Sequence, residues 1–290
     1  MSRACVVRDL GRMSYGEALA IQLELANERK QGLGADHLLF VEHPHVVTIG
    51  RNGSESNILA PMATLEQLGV EVFETDRGGD VTYHGPGQIV AYPVMDLREW
   101  KRDVGLFVRG IEQTLIDALS DFGIEARRIA RLTGVWVGED EGMPARSEAV
   151  IARPEVVTAR PEVVTARPEV VTARPEAVTA RPEAVTARPE VVTARPEAVT
   201  ARPEAVTAKI GAIGVHLSRW VSTHGWALNV KTDLRYFQYI VPCGLTKPVT
   251  SMEALGVRAD VEDVKAALAG RFGKIFDFEM QAEPALTGRL

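Results

Sequence analysis

The spacing of apolar residues changes character several times along this chain, and each change marks an element. Ser14 and Glu17 stand three residues apart, ahead of Leu19, Leu23 and Ala26 on one side of a 3.6-residue period. That arrangement predicts a capping box opening a helix that runs to about Lys30. DHLLFVEH (36–43) and VVTIG (46–50) are short apolar runs around Pro44 and read as strands on either side of a turn. A short helix near 61–68 leads into VEVFETD, another strand. QIVAYPVMDL (88–97) is apolar almost throughout, as expected of a strand covered on both faces. Asp103 is placed to cap a helix reaching about Phe122, with Phe107, Ile111, Leu115 and Leu119 at helical spacing. TGVWVGEDEG and KIGAIGVHLSRW read as strands, followed by a strand over 221–230, a loop carrying Cys243, a helix near 260–272 and a last strand. Strands and helices mix without regular βαβ alternation, so the expected class is α+β, a mixed α/β sheet flanked by helices.

Between those last-named strands the pattern breaks. The unit ARPEVVT or ARPEAVT runs eight times without a gap from Ala152 to Thr207, and ARSEAVI, beginning at Ala145, reads as a decayed further copy. A seven-residue period of this kind imitates a coiled-coil heptad, but proline in every unit excludes a continuous helix, at ~3 kcal/mol each. Seven residues are also too few for a solenoid unit. An extended, solvated segment is expected, lodged in the turn between two hairpin strands. Expanding a turn from about 4 to about 63 residues costs only ~2.4 kcal/mol of closure entropy, because the penalty is logarithmic. Residues 1–144 and 208–290 are therefore expected to form one discontinuous domain, with 145–207 as a low-complexity insertion.

Composition narrows the class. The chain is 46% hydrophobic and 25% charged, with a net charge of −6 that lies wholly outside the repeat, where Arg and Glu cancel. That balance, with no basic stripe, argues against a nucleic-acid binder. No apolar run reaches the ~18–20 residues of a membrane span, and the start MSRACVVRDLGRM lacks a signal peptide's apolar core. The two cysteines, Cys5 and Cys243, make neither a disulfide framework nor a zinc site. A cytoplasmic protein with reduced thiols is expected, monomeric because one compact domain accounts for the non-repeat chain.

Few residues offer chemistry. RGGDVTYHGPGQ (77–88) holds four glycines and a proline in twelve residues. It is neither a Walker A loop nor a dinucleotide turn, and reads either as a ligand-lining loop or as a plain hairpin turn. Cys243 stands between Pro242 and Gly244 at the end of an apolar run, either an inert buried thiol or a side chain presented to a cleft. Cys5, near a frayed or edge terminus, carries no role. A catalytic thiol needs help to ionise, since its free pKa is about 8.5, and a cation at about 4 Å contributes ~4 kcal/mol at an effective dielectric near 20. Lys209, opening the strand after the repeat, could supply that charge or be an ordinary surface lysine. His43 and His45 have metal-like H-x-H spacing without further ligands, so no metal is expected, and His216 and His224 are either structural or pocket-facing.

Three blocks carry a resemblance: RGGDVTYHGPGQIVAYPVMDL, KIGAIGVHLSRWVSTHGWALNV and FQYIVPCGLTKPVTSM. In that order they resemble the octanoyl-acyl carrier protein–protein octanoyltransferases, also called lipoyl(octanoyl) transferases, over essentially all the chain except the repeat. The resemblance implies a biotin/lipoate ligase-like fold and acyl transfer in two halves. Cys243 would take an octanoyl group from octanoyl-acyl carrier protein as a thioester. A lysine of a lipoyl domain, in 2-oxoacid dehydrogenase E2 subunits or the glycine-cleavage H protein, would then accept it, and no cofactor is implied. Lys209 looks like the family's lysine that lowers the thiol's pKa or serves as acid/base. Arg77, Gly78, Gly79, Asp80, Val81, Thr82, Tyr83 and His84 would line the acyl and carrier-arm pocket. Ala212, Ile213, Gly214, Gly225, Trp226 and Ala227 would contact substrate, leaving room for the chain and offering backbone N–H groups to an oxyanion. Arg98, Lys101 and Arg102 are candidates for docking an acidic carrier. The rival readings are an ATP-dependent lipoate- or biotin-protein ligase, a thioesterase, and a non-catalytic adaptor.

Overall fold

In the computed structural model, residues 3–138, 207–241 and 247–283 are described. Eight strands form one mixed sheet in the order β11-β1-β2-β6-β10-β9-β8-β7. They are β1 (Arg3–Arg12), β2 (Asp36–Glu42), β6 (Gln88–Val94), β7 (Arg127–Ile129), β8 (Leu132–Val137), β9 (Ala208–Ser218), β10 (Val221–Asn229) and β11 (Phe278–Ala282). β1 runs parallel to both of its neighbours, and every other pairing in the sheet is antiparallel. A smaller sheet orders β4 (Glu71–Glu74), β3 (Val46–Ile49) and β5 (Val81–His84). The helices are α1 (Tyr15–Lys30), α2 (Met62–Gln67), α3 (Val104–Asp121) and α4 (Val261–Phe276). Among the described residues no helix is long and apolar enough to cross a membrane.

The large sheet is covered on both faces, which explains the unbroken apolar run of β6. Ile89 and Ala91 pack with Phe107, Ile111, Leu115 and Leu119 of α3 and with Leu268, Phe272 and Phe276 of α4. Val90, Tyr92 and Val94, pointing the other way, pack with Ala18, Leu25 and Ala26 of α1. Local signals hold well here. Asp103 accepts the Leu106 N–H at the start of α3, and Ser14 and Glu17 make the reciprocal capping box of α1. β8 and β9 pair antiparallel on either side of the repeat. The repeat itself lies outside the described residues except for Thr207, which is buried and within hydrogen-bond distance of Arg127.

Two expectations need correction. Cys5 does not sit at a frayed or edge terminus: it is fully buried in β1, an interior strand flanked by β2 and by the distant β11. Burial pushes its thiol pKa up, so it stays protonated and inert. The buried side of α1 is also different, because Leu23 is 43% exposed while Tyr15, Gln22 and Arg29 face inward. Those polar residues are held by partners on other elements. Gln22 Oε1 accepts the His224 N–H at 2.7 Å, and Arg29 Nε donates to Asp36 at 3.0 Å.

Candidate active site

A trough runs between the α1-facing side of the large sheet and the small sheet. Its walls on β9 and β10 are made of the smallest side chains, in two directly opposed pairs, Ala212 with Ala227 and Gly214 with Gly225. A cavity lies over them, also lined by Tyr15, Arg77, Gly79, Thr82, His84, Val90, Tyr92 and His224. A second is lined by Gln88, Lys209, Asn229, Phe237 and Val249. Both share Thr82, Ala212 and Ala227, so the two cavities form one trough with a neck.

Lys209 reaches this trough through an irregularity in β9. Val135 pairs with Gly211 but the next residue, Trp136, pairs with Lys209, so Ile210 is an extra residue. Such a bulge reverses the alternation of side chains. Ala208 and Ile210 point into the α3–α4 core, as do Ile213 and Val215 beyond the bulge, while Lys209, Ala212 and Gly214 face the trough. A regular strand would put Lys209 on the helix side with Ile213. The Lys209 side chain is largely buried, and its Nζ lies 4.7 Å from the centroid of the Trp136 ring, a face that attracts an ammonium group. Gly134 opposite has φ +122, and a Cβ there would stand 2.7 Å from the Gly211 carbonyl oxygen and 3.2 Å from Lys209 Cε.

At the same level β9 and β10 part, and residues 248–250 enter the gap. The Lys209 N–H donates to Pro248 O at 2.9 Å, and the Thr250 N–H donates back to Lys209 O at 2.9 Å. Asn229 Nδ2 donates to Thr250 O at 3.0 Å. On the other flank, the Val241 N–H donates to Asn57 O at 2.7 Å. Cys243 lies outside the described residues.

The glycine-rich segment divides by parity. Thr82 and His84 face the trough, whereas Val81 and Tyr83 fill the small core with Val47, Ile49 and Leu65. Arg77 lines the cavity while clasping its own loop: its guanidinium donates to Thr48 O and Asp80 O, each at 2.7 Å. Gly79 lines the cavity, and Gly78 instead donates its N–H to Val215 O at 3.0 Å. Asp80 accepts from Asn57 Nδ2 and from the Val81 N–H, both at 2.7 Å. Ile213 and Trp226 border the trough, but their side chains belong to the helix-side core. Because β10 is paired along both edges, the N–H groups of Trp226 and Ala227 lie within the ladder. At Trp226 and Ala227 the small-residue wall therefore offers space, its N–H groups being used between strands.

The end remote from Lys209 is a buried polar cluster that pattern reading missed. His43 Nδ1 donates to Met13 O at 2.8 Å, and its Nε2 accepts from Tyr92 OH at 2.7 Å. His84 Nδ1 donates to Gln88 Oε1 at 2.7 Å, and Gln88 continues to Asn229. His224, with φ 57, donates from Nε2 to Asp76 Oδ1 at 2.7 Å, and its Nδ1 accepts from Tyr15 OH at 3.2 Å. His216 approaches the other Asp76 oxygen at 3.4 Å. Burial lowers the pKa of His43 to about 4, and burial with the neighbouring His43 lowers that of His84 to about 3. Burial also lowers His224, against the pull of Asp76. This end therefore presents neutral imidazoles, a wall compatible with an alkyl chain. Among the described residues no group of three or more His, Cys, Asp or Glu is arranged to hold a metal ion. His45 turns instead to Tyr83 OH, at 2.7 Å. Arg98, proposed for docking, is engaged by Asp96 and by Arg29 O, and follows the end of β6 remote from Lys209.

Residues 14–273 match the model of the lipoyl protein ligase A/B catalytic domain. An octanoyltransferase of Solibacter usitatus is 50% identical over 96% of this chain and 96% of its own. One from Koribacter versatilis is 38% identical over 93% of this chain and 83% of its own. The fold is similar to that of a bipartite lipoate protein ligase from Thermoplasma acidophilum, with TM-score 0.59 and 13% identity over 98% of this chain and 88% of that one.

Proposed function

The chain belongs to the lipoyl protein ligase A/B catalytic domain family and is an acyltransferase that moves octanoyl groups in lipoate synthesis, and we propose that it does so through a thioester on Cys243. In the first half-reaction the Cys243 thiolate attacks the carbonyl of octanoyl-acyl carrier protein, and the carrier's thiol leaves. In the second, the amine of a lipoyl-domain lysine attacks the enzyme thioester, loses a proton, and releases the Cys243 thiolate. The acceptors are the E2 subunits of 2-oxoacid dehydrogenases and the glycine-cleavage H protein. Lys209 supplies the positive charge beside the thiolate and the route for these protons. Thioester-to-amide transfer is downhill, so the enzyme's task is to hold both partners and exclude water.

The observation that carries this reading is the arrangement at the Lys209 end of the trough. Lys209 opens onto an apolar groove walled by Ala212 and Ala227, and its backbone is hydrogen-bonded to Pro248 and Thr250, five and seven residues after Cys243 in the sequence. Incubation with octanoyl-acyl carrier protein, followed by intact-mass analysis, tests it. An octanoyl adduct mapping to Cys243 and discharged by apo lipoyl domain is expected. Full activity of Cys243→Ala with free octanoate and ATP would instead identify a ligase, and release of octanoate without a lipoyl domain a thioesterase.

The insertion is a separate part of the proposal. Residues 1–144 and 208–290 make the acyltransferase domain, with Thr207 built into its edge. Replacing 145–206 by a short turn is expected to leave transfer intact and to stabilise the fold by up to ~2.4 kcal/mol. Loss of folding or turnover on deletion would overturn this.

A further inference from the structure

We propose that the Tyr15 ring is the stop that sets acyl-chain length, ending the trough for a substrate tail of about eight carbons. This rests on the octanoyl-transfer reading above and adds a specificity-determining residue outside the segments that reading uses.

The lengths agree. Asn229 lines the Lys209 end of the trough and Gly225 the other end, four residues along one strand, or ~13 Å at ~3.3 Å per residue. An extended eight-carbon chain spans about 9 Å, from carbon–carbon bonds of ~1.5 Å at tetrahedral angles. The remaining ~4 Å is one van der Waals separation between the reacting carbonyl and the groups at the Lys209 end. A terminal methyl therefore arrives at the level of Gly214 and Gly225. Two further carbons would need ~2.5 Å more.

Tyr15 closes that level from both sides. It is the first residue of α1 and lines the cavity from a helix, between the two sheets. Its ring is nearly parallel to His84 of the small sheet, at 6.1 Å and 16°, and to His224 of the large sheet, at 6.5 Å and 15°. Behind it stands Phe73, with ring centroids 5.0 Å apart. The phenol is fixed in place, since its OH donates to His224 Nδ1 and His224 is in turn held by Asp76. Asp76 is half exposed, so removing the ring opens the trough towards the surface beyond Thr75 and Asp76.

The test is the ratio of kcat/KM for decanoyl- and dodecanoyl- over octanoyl-acyl carrier protein, with apo lipoyl domain as acceptor. A ratio within one preparation does not depend on the fraction of enzyme that is folded. Tyr15→Ala is expected to raise it about tenfold or more, since one or two methylenes in a pocket change selectivity by ~10–200-fold. Tyr15→Phe, which keeps the ring, is expected to keep the wild-type ratio. If Tyr15→Ala does not accumulate as folded protein, Tyr15→Leu carries the same expectation at smaller size. A wild-type ratio in Tyr15→Ala or Tyr15→Leu, or no length preference in the wild type, overturns the stop while leaving octanoyl transfer standing. Absence of transfer from octanoyl-acyl carrier protein by the wild type overturns the reading beneath it.

Discussion

The two ends of the trough are built on opposite principles. At the Lys209 end the sheet departs from regularity: β9 carries an extra residue, β9 and β10 diverge, and another stretch of chain fills the gap. At the Tyr15 end the three histidines are neutral and hydrogen-bonded to partners on other elements, Met13, Tyr92, Gln88, Tyr15 and Asp76. On the proposed mechanism the difference follows from what each end would do. A reacting group has to be turned out of the core and kept beside its partner, which regular alternation prevents. A wall that meets an alkyl tail is best kept rigid, which imidazoles held neutral by burial and tied by hydrogen bonds to other elements achieve, with the Arg77 guanidinium turned onto Thr48 and Asp80.

Perturbations should therefore separate by end. Lys209→Met is expected to have the largest effect on rate, lowering kcat by ~10²–10⁴-fold while thermal stability stays near wild type. Equal kcat in this variant would remove the functional contrast altogether. Gly134→Ala comes next. Its methyl would press on the Gly211 carbonyl and on Lys209 Cε, so on the order of 10- to 100-fold loss of kcat is expected, with ~1–3 kcal/mol of destabilisation. Steady-state kinetics and denaturant melts on one sample check both parts.

At the other end the balance reverses. Tyr92→Phe leaves the buried His43 Nε2 without its donor and should cost ~1–3 kcal/mol of stability, with kcat within a few-fold of wild type. The pH dependence sharpens the point. His43 and His84 titrate near 4 and 3 when folded, below the ordinary 6.5 of an exposed imidazole. Between pH 6.5 and those values the unfolded chain binds protons that the folded chain does not. Stability is then full above pH 6.5 and falls steadily as the pH drops towards 4. Denaturant midpoints across that range should decline in the wild type and flatten in His43→Gln. As a control remote from both ends, Lys265→Ala removes a surface pairing with Asp9 and Glu262 and should change stability by less than ~1 kcal/mol.

What the sequence made legible was local. Phe107, Ile111, Leu115 and Leu119 announced the buried stripe of α3, and Ser14 with Glu17 announced the start of α1, because helix signals lie within a few residues of each other. β1 escaped notice because its flanking partners, β2 and the distant β11, are chosen by tertiary packing. The bulge at Ile210 has no local signature beyond Gly211 after it and Gly134 across from it. It appears only when β8 and β9 are laid side by side. Tyr15, Tyr92 and His224 were equally hidden as one cluster, being drawn from α1, β6 and β10. The glycine-rich block was legible only in part: its glycines marked a special loop, but the parity that sends Thr82 and His84 one way and Val81 and Tyr83 the other is set by pairing with β3.

The clasp on Lys209 has a consequence for how this chain tolerates its tandem repeat. The tract ends two residues before the lysine. Yet that residue is fastened on one edge to Trp136 and on the other to Pro248 and Thr250. These fastenings hold the backbone at Lys209 on both edges, so its place is set by β8 and by residues 248–250 and not by the segment that precedes it.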